Sequence, residues 1–133
     1  MSELFTWPIR VYYEDSDASG VAYHANYLRW FERARSEWLR SLGRSHTELA
    51  EQHGAAFTLA RVEVDYLRPA RLDDLLQATV RVAERGRASL VFEQDLRRAD
   101  GTGAVLAKAR VRSACVDLRT FKPRPWPAGW LDE

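Results

Sequence analysis

Tyr12-Tyr13-Glu14-Asp15-Ser16-Asp17-Ala18-Ser19-Gly20-Val21-Ala22-Tyr23-His24-Ala25-Asn26-Tyr27 carries the change of pattern that decides the fold. Upstream, Ile9-Arg10-Val11-Tyr12-Tyr13 is rich in β-branched and aromatic residues. It predicts a first strand with Pro8 at its start, where a missing N–H costs least. Asp15, Ser16, Asp17, Ser19 and Gly20 either bond their own backbone or permit positive φ, so 14–23 reads as a turn. From Ala25 to Leu42 the period becomes helical. At about 100° per residue, Tyr27, Phe31, Ala34, Trp38 and Leu42 share a stripe that Leu28, Trp30 and Leu39 widen. Arg29, Arg33, Ser36 and Arg40 lie opposite, and Gly43 is a natural stop. So broad an apolar face packs on a sheet rather than in a narrow helical seam. Arg35 projects into the apolar arc. Its stem either lies on apolar surface with the head in water, the favoured reading, or the head pairs with a carboxylate near the turn.

Beyond the helix, Ser45-His46-Thr47-Glu48 has the spacing of a capping box. It opens a short helix closed by Gly54, with His46 and His53 on its surface. Four strand patterns follow. Val62, Val64 and Tyr66 alternate with Arg61, Glu63 and Asp65 until Pro69, and Leu76, Ala78, Val80 and Val82 form the next apolar parity. A turn at Arg85-Gly86-Arg87 leads to Leu90, Phe92 and Leu96; Asp100-Gly101 marks a hairpin before Val105, Ala107, Ala109 and Val111. One apolar and one polar parity per strand is the mark of an antiparallel sheet covered on one side. The expectation is an α+β chain forming one domain over 1–133, its strands in meander-like order against one long helix. The tail around Lys122-Pro123-Arg124-Pro125-Trp126-Pro127, from about residue 120 to 133, excludes a central strand or a helix.

Twenty basic residues against 19 acidic ones leave a net charge of +1, which argues against a dedicated nucleic-acid binder. Cys115 is the only cysteine, so no internal disulfide forms, and its strand context places it in the core. The first residues lack a basic start and an apolar run, and no segment has the length of a membrane span. A cytoplasmic protein, at most peripheral to the inner membrane, is expected.

A carboxylate beside a helix start has two uses. It accepts hydrogen bonds from free helix N–H groups, or it faces a bound substrate as nucleophile or general base. The helix N–H groups in turn suit a developing oxyanion. From residue types alone Asp17 reads first as a turn or cap residue. Other chemistries lack their signatures: there is no Gly-x-Ser-x-Gly elbow, no phosphate loop or dinucleotide fingerprint, and no zinc or calcium spacing. Glu14, Asp15, Asp17 and His24 remain.

The run from Val11 to Tyr27, followed by Phe31-Glu32-Arg33-Ala34-Arg35, strongly resembles the hotdog-fold acyl-CoA thioesterases. Within them it is most similar to the Tol-Pal-associated, YbgC-type branch related to the 4-hydroxybenzoyl-CoA thioesterases. The resemblance implies a five-stranded antiparallel sheet wrapped around the long helix, and sheets of two subunits joined edge to edge, with two such dimers making a tetramer. It implies hydrolysis of acyl-CoA without a cofactor or metal. The family's catalytic aspartate falls on Asp17 and its backbone donor on His24, with Tyr13 and the His24 ring as active-site neighbours. Arg85, Arg87 and Ser89 match the region of CoA contacts; Arg61, Arg68 and Lys108 are weaker candidates. Acyl carrier protein or other lipid-synthesis proteins are the implied partners. Two alternatives stand beside this: a 3-hydroxyacyl-thioester dehydratase or hydratase using His24 and Glu32, and a non-catalytic partner of acyl-carrier or lipid-synthesis proteins.

Overall fold

Alternating apolar residues close the chain into a five-stranded antiparallel sheet with two helices. The computed structural model describes residues 4–131. Its elements are β1 (Phe5–Arg10), α1 (Ala25–Ser41), α2 (His46–His53), β2 (Ala55–Tyr66), β3 (Leu75–Arg85), β4 (Ser89–Arg98) and β5 (Val105–Asp117). The strand order is β1-β3-β4-β5-β2. Strands β3 to β5 form a meander, but β2 leaves its sequence neighbour β3 and pairs with β5 at the far edge. The fully sequential order is thereby corrected. Helix α1 packs chiefly on β3, β1 and β4.

The first strand lies earlier than its composition suggests. Pro8 sits inside β1, opposite Gln77, rather than at its start. An edge strand tolerates this, because one side of its backbone needs no ladder partner. Tyr12 and Tyr13, expected in the strand, have already left it: Tyr13–Asp15 is a 3-10 turn whose start is held by Tyr12 N–H donating to Asp15 Oδ2 at 2.9 Å.

Tyr27, Trp30, Phe31, Ala34, Trp38 and Leu39 are buried along α1, while Leu42, expected on the stripe beyond the last turn, and Leu28, expected to widen it, are exposed. Trp38 meets Phe92 edge-on at 5.2 Å. Arg35 follows neither expectation. Its head is drawn into the protein, with Nη1 donating to the Gln94 side-chain oxygen at 2.9 Å and not to a carboxylate.

Helix α2 is capped by Ser45, whose Oγ accepts the Glu48 N–H at 3.0 Å, and Gly54 closes it with φ 62°. The Glu48 carboxylate does not return to the cap. It accepts from Arg44 and from Trp130 Nε1, at 3.0 and 3.2 Å. The Pro-rich tail is therefore packed, not loose. Arg124 N–H bonds Cys115 O, Trp126 N–H bonds Arg87 O, and Trp130 is 3% exposed against Phe57 and the Arg44 guanidinium. Removing a buried indole leaves a cavity, so Trp130→Ala should lower stability by about 3 kcal/mol or more in urea denaturation. A change under about 0.5 kcal/mol, the usual effect of a surface substitution, would show the tail to be only draped on the core.

Candidate active site

The loop between β1 and α1 is a miniature hairpin. Ser16 and Ala22 form an antiparallel bridge, and Asp17 N–H donates to Val21 O at 3.1 Å. Gly20 turns the tip with φ 79°, a conformation that any side chain would strain. The descending arm pairs with the segment before β3: Ala22 N–H bonds Ala70 O at 2.8 Å, and Val21 bridges Arg71. Asp15 O then accepts from both Tyr23 N–H, at 2.9 Å, and the Asn26 side-chain amide, at 2.8 Å. Asn26 is 8% exposed, so a buried side chain of the first helical turn holds the loop. Sequence reasoning gave Asn26 no role. An asparagine at the second position of a helix with a wide apolar face was the available signal.

This folding places Asp17 on one arm and His24 at the end of the other. Asp17 is exposed, and its Oδ1 accepts from Ser19 N–H at 2.8 Å and from Ser19 Oγ. The Ser19 hydroxyl, then its N–H, hold the Asp17 carboxyl below the ordinary carboxylate value. Asp17 is accordingly anionic at neutral pH. His24 is the residue before α1, with helical φ and ψ, and no side-chain cap hydrogen bond forms there among the described residues. The first turn contains no acidic residue, and no acceptor among the described residues takes the His24 or Ala25 N–H. The positive end of the helix is thus unneutralised by its own side chains and open to a ligand oxygen. The His24 ring lies between Tyr23 and Tyr66, at 4.5 and 5.8 Å, and Tyr66 Oη donates to His24 O at 3.2 Å.

Other predicted residues fall elsewhere. Tyr13 is 83% exposed at the surface of the loop. Asp15 is structural, as its two backbone roles show. Glu32 accepts from Ser36, two helical turns from His24 or about 12 Å along the axis. One chain therefore does not bring together the pair that a dehydratase reading needs. Arg85, Arg87 and Ser89 surround the β3–β4 turn at Gly86, where a Cβ would meet Ser89 Oγ at 2.6 Å and require that hydroxyl to rotate away. The loop joins the sheet at the start of β3, so this turn lies the length of that strand away, roughly 30 Å. Arg68 donates to Val105 O at 2.8 Å and Arg61 pairs with Glu63 at 3.2 Å. Cys115 is buried in β5, and burial pushes its thiol up, away from nucleophile character.

The loop that leads into α1 thus carries an exposed anionic carboxylate, and the helix it enters starts without a side-chain cap. Residues 19–105 match the thioesterase superfamily, so the chain belongs to that family. It is 47% identical over 123 residues to the acyl-CoA thioesterase YbgC of Haemophilus influenzae, covering 92% of this chain and 88% of that one. It is 44% identical over 130 residues to the acyl-CoA thioester hydrolase YbgC of Escherichia coli, covering 98% and 95%. A probable thioesterase from Bartonella henselae superposes with a TM-score of 0.87 at 35% identity, covering 94% of this chain and all of that one. A 1,4-dihydroxy-2-naphthoyl-CoA thioesterase from Synechocystis gives 0.88 at 25% identity, covering 96% and 93%. The fold is the hotdog fold of these thioesterases.

Two outcomes follow from the site's bonds. Ser19→Ala removes the main influence that depresses the Asp17 carboxyl, so its pKa rises. The acid limb of the kcat/KM profile should move to higher pH while neutral-pH activity holds; an unmoved limb would detach Asp17 from the rate. The linked stability has the same sign: it is present while Asp17 is ionised and fades as pH falls through its lowered pKa. Asn26→Ala leaves Asp15 O with one donor fewer, at a cost of about 1–3 kcal/mol in denaturation, and should lower kcat more than it raises KM. Unchanged kcat would mean that the loop keeps its place without Asn26.

Proposed function

We propose that this chain hydrolyses acyl-CoA thioesters, releasing a carboxylic acid and CoA. The observation that supports the reading is an ionised Asp17 carboxylate on the short loop that ends at the uncapped start of α1, where the His24 and Ala25 N–H groups have no acceptor among the described residues. The thioester oxygen lies at the His24 N–H, where the helix end, equivalent to roughly half an elementary charge, favours the developing oxyanion. Asp17 either takes a proton from water as that water attacks, or attacks the carbonyl carbon itself to give a mixed anhydride that water then opens. In both routes the C–S bond breaks and the thiolate departs without needing a strong acid. One carboxylate and one oxyanion donor therefore suffice. Tyr13, exposed on the same loop, lies at the rim and orients the bound thioester.

A second copy completes the site in this reading. Asp17, His24 and Tyr13 are exposed in one chain, whereas hydrolysis of a held thioester gains from walls that control water. The candidate CoA residues Arg85, Arg87 and Ser89 lie at the other end of the same subunit. β2 is a twelve-residue edge strand with one unpaired side. Two β2 strands paired antiparallel about a two-fold axis set the first half of one against the second half of the other. That brings the Arg85–Ser89 end of one copy toward the Tyr66 and His24 end of its partner. A dimer built this way, and a tetramer of two dimers, is the proposed assembly.

Thiol release from short, long and aromatic acyl-CoAs tests the activity. Asp17→Asn should lower kcat by at least about a hundredfold, in line with loss of a general base or nucleophile, while the circular dichroism stays native. Full turnover by a folded Asp17→Asn protein would remove Asp17 from the chemistry. Dehydration of a 3-hydroxyacyl thioester without thiol release would instead identify a dehydratase.

A further inference from the structure

Outside the loop that carries Tyr13, Asp17 and His24, α1, α2 and strands β2, β4 and β5 line a half-open cavity of about 390 Å³. Its volume lies in the range of small-molecule sites. Trp38, Phe57 and Phe92 supply aromatic wall, and Leu59 stands exposed at the mouth. Among these apolar groups is the cation Arg35. Its Nη1 donates to Gln94 Oε1, and Gln94, itself 2% exposed, donates from Nε2 to Phe31 O at 3.0 Å. A buried amide braced on the helix backbone thus holds the guanidinium at the cavity wall.

Arg35 forms no ion pair among the described residues. The acid on the same wall, Glu32, accepts from Ser36 Oγ at 2.7 Å, and Ser36 has His46 Nε2 at 3.0 Å on its other side. Partial burial and the nearby Arg40 and Arg35 lower the His46 pKa, against the opposing pull of Glu32; the ring is neutral at neutral pH and adds no charge to the wall. Arg35 remains cationic, its pKa lowered by burial to about 10. Desolvating a charge without a bonded counter-ion is costly; Glu32 acts on Arg35 only through space, so an anion entering the cavity finds the guanidinium with no carboxylate bonded to it among the described residues. The planar guanidinium fork suits a carboxylate. Glu32 on the same wall opposes a phosphate dianion, and the aromatic walls call for an apolar body.

We propose that this cavity binds an apolar monocarboxylate, its carboxylate on Arg35 and its body against Trp38, Phe57 and Phe92. That chemistry has two sources: a free carboxylic acid, or the far carboxylate of a dicarboxylic acyl thioester. The proposal stands on the cavity, independently of thioester hydrolysis.

Isothermal titration with octanoate and with 1-octanol is the first arm of the test. Octanoate should bind saturably, one per chain, at least about tenfold tighter than octanol. Arg35→Met should weaken it at least about tenfold, and Arg35→Lys, which keeps the charge but not the fork, should bind more tightly than Arg35→Met and more weakly than the wild type. The second arm compares hydrolysis of octanoyl-CoA with that of the mono-CoA thioester of the dicarboxylic acid of equal length. An Arg35-dependent preference for the second assigns the cavity to the acyl group; carboxylate binding without that preference assigns it to a free acid. Equal binding of octanoate and octanol by the wild-type protein, with no Arg35-dependent preference, overturns the proposal, and that comparison holds even where Arg35→Met fails to fold. Absence of thioester turnover leaves the first arm to decide by itself, so failure of the hydrolase reading is distinguishable from failure of this one.

Discussion

Two hydrogen bonds converge on one backbone oxygen, Asp15 O, and the candidate site depends on them. Tyr23 N–H closes the base of the loop, and the Asn26 amide ties that base to the first turn of α1. Because Asn26 is buried, its amide cannot fall back on water, which makes the tie more decisive than an exposed bond of the same length. Asn26 is itself fixed by its helix. Tyr27, the next residue, stacks on Trp30 at 5.2 Å, and its hydroxyl accepts Ala70 N–H at 2.7 Å. Core packing, helix start and loop are therefore one mechanical unit, and Asp17 inherits its place from the core.

The same unit leaves the chemistry exposed. Helix α1 begins without a side-chain cap or an acidic first turn, which sacrifices stabilisation that most helices take. Asp17 takes its stabilisation chiefly from Ser19, two residues away, and stays ionised without a buried partner. Unsatisfied donors on one arm and an available carboxylate oxygen on the other are what a carbonyl-directed reaction requires.

Much of this was readable in the sequence where the signal is local. The stop at Gly43, the Ser45 cap, the Gly54 closure and the apolar parities of β3 to β5 all lie where periodicity and cap chemistry put them. The family resemblance carried by residues 11–35 anticipated the sheet around a long helix. What was not legible depended on distant partners. Tyr12 and Tyr13 look like strand residues, but Asp15 captures the Tyr12 N–H and turns the chain. Sequence order suggested a meander, while β2 finds β5 across the sheet. Trp130 sat among prolines and glycine without a period, and only the Glu48, Arg44 and Phe57 surfaces explain its burial. Arg35 broke the helical pattern visibly, yet its partner Gln94 lies 59 residues away.

In the proposed reaction a thioester carbonyl sits on the free N–H groups at the start of α1. Amide proton shifts measure this directly, on the Asp17→Asn protein titrated with an acyl-CoA analogue in which a methylene replaces the thioester sulfur and the carbonyl is kept. The His24 or Ala25 amide proton should move strongly downfield as it bonds the carbonyl oxygen, with smaller changes along residues 15–23. Saturable binding that leaves these amides unmoved would contradict the claim and place the substrate carbonyl elsewhere.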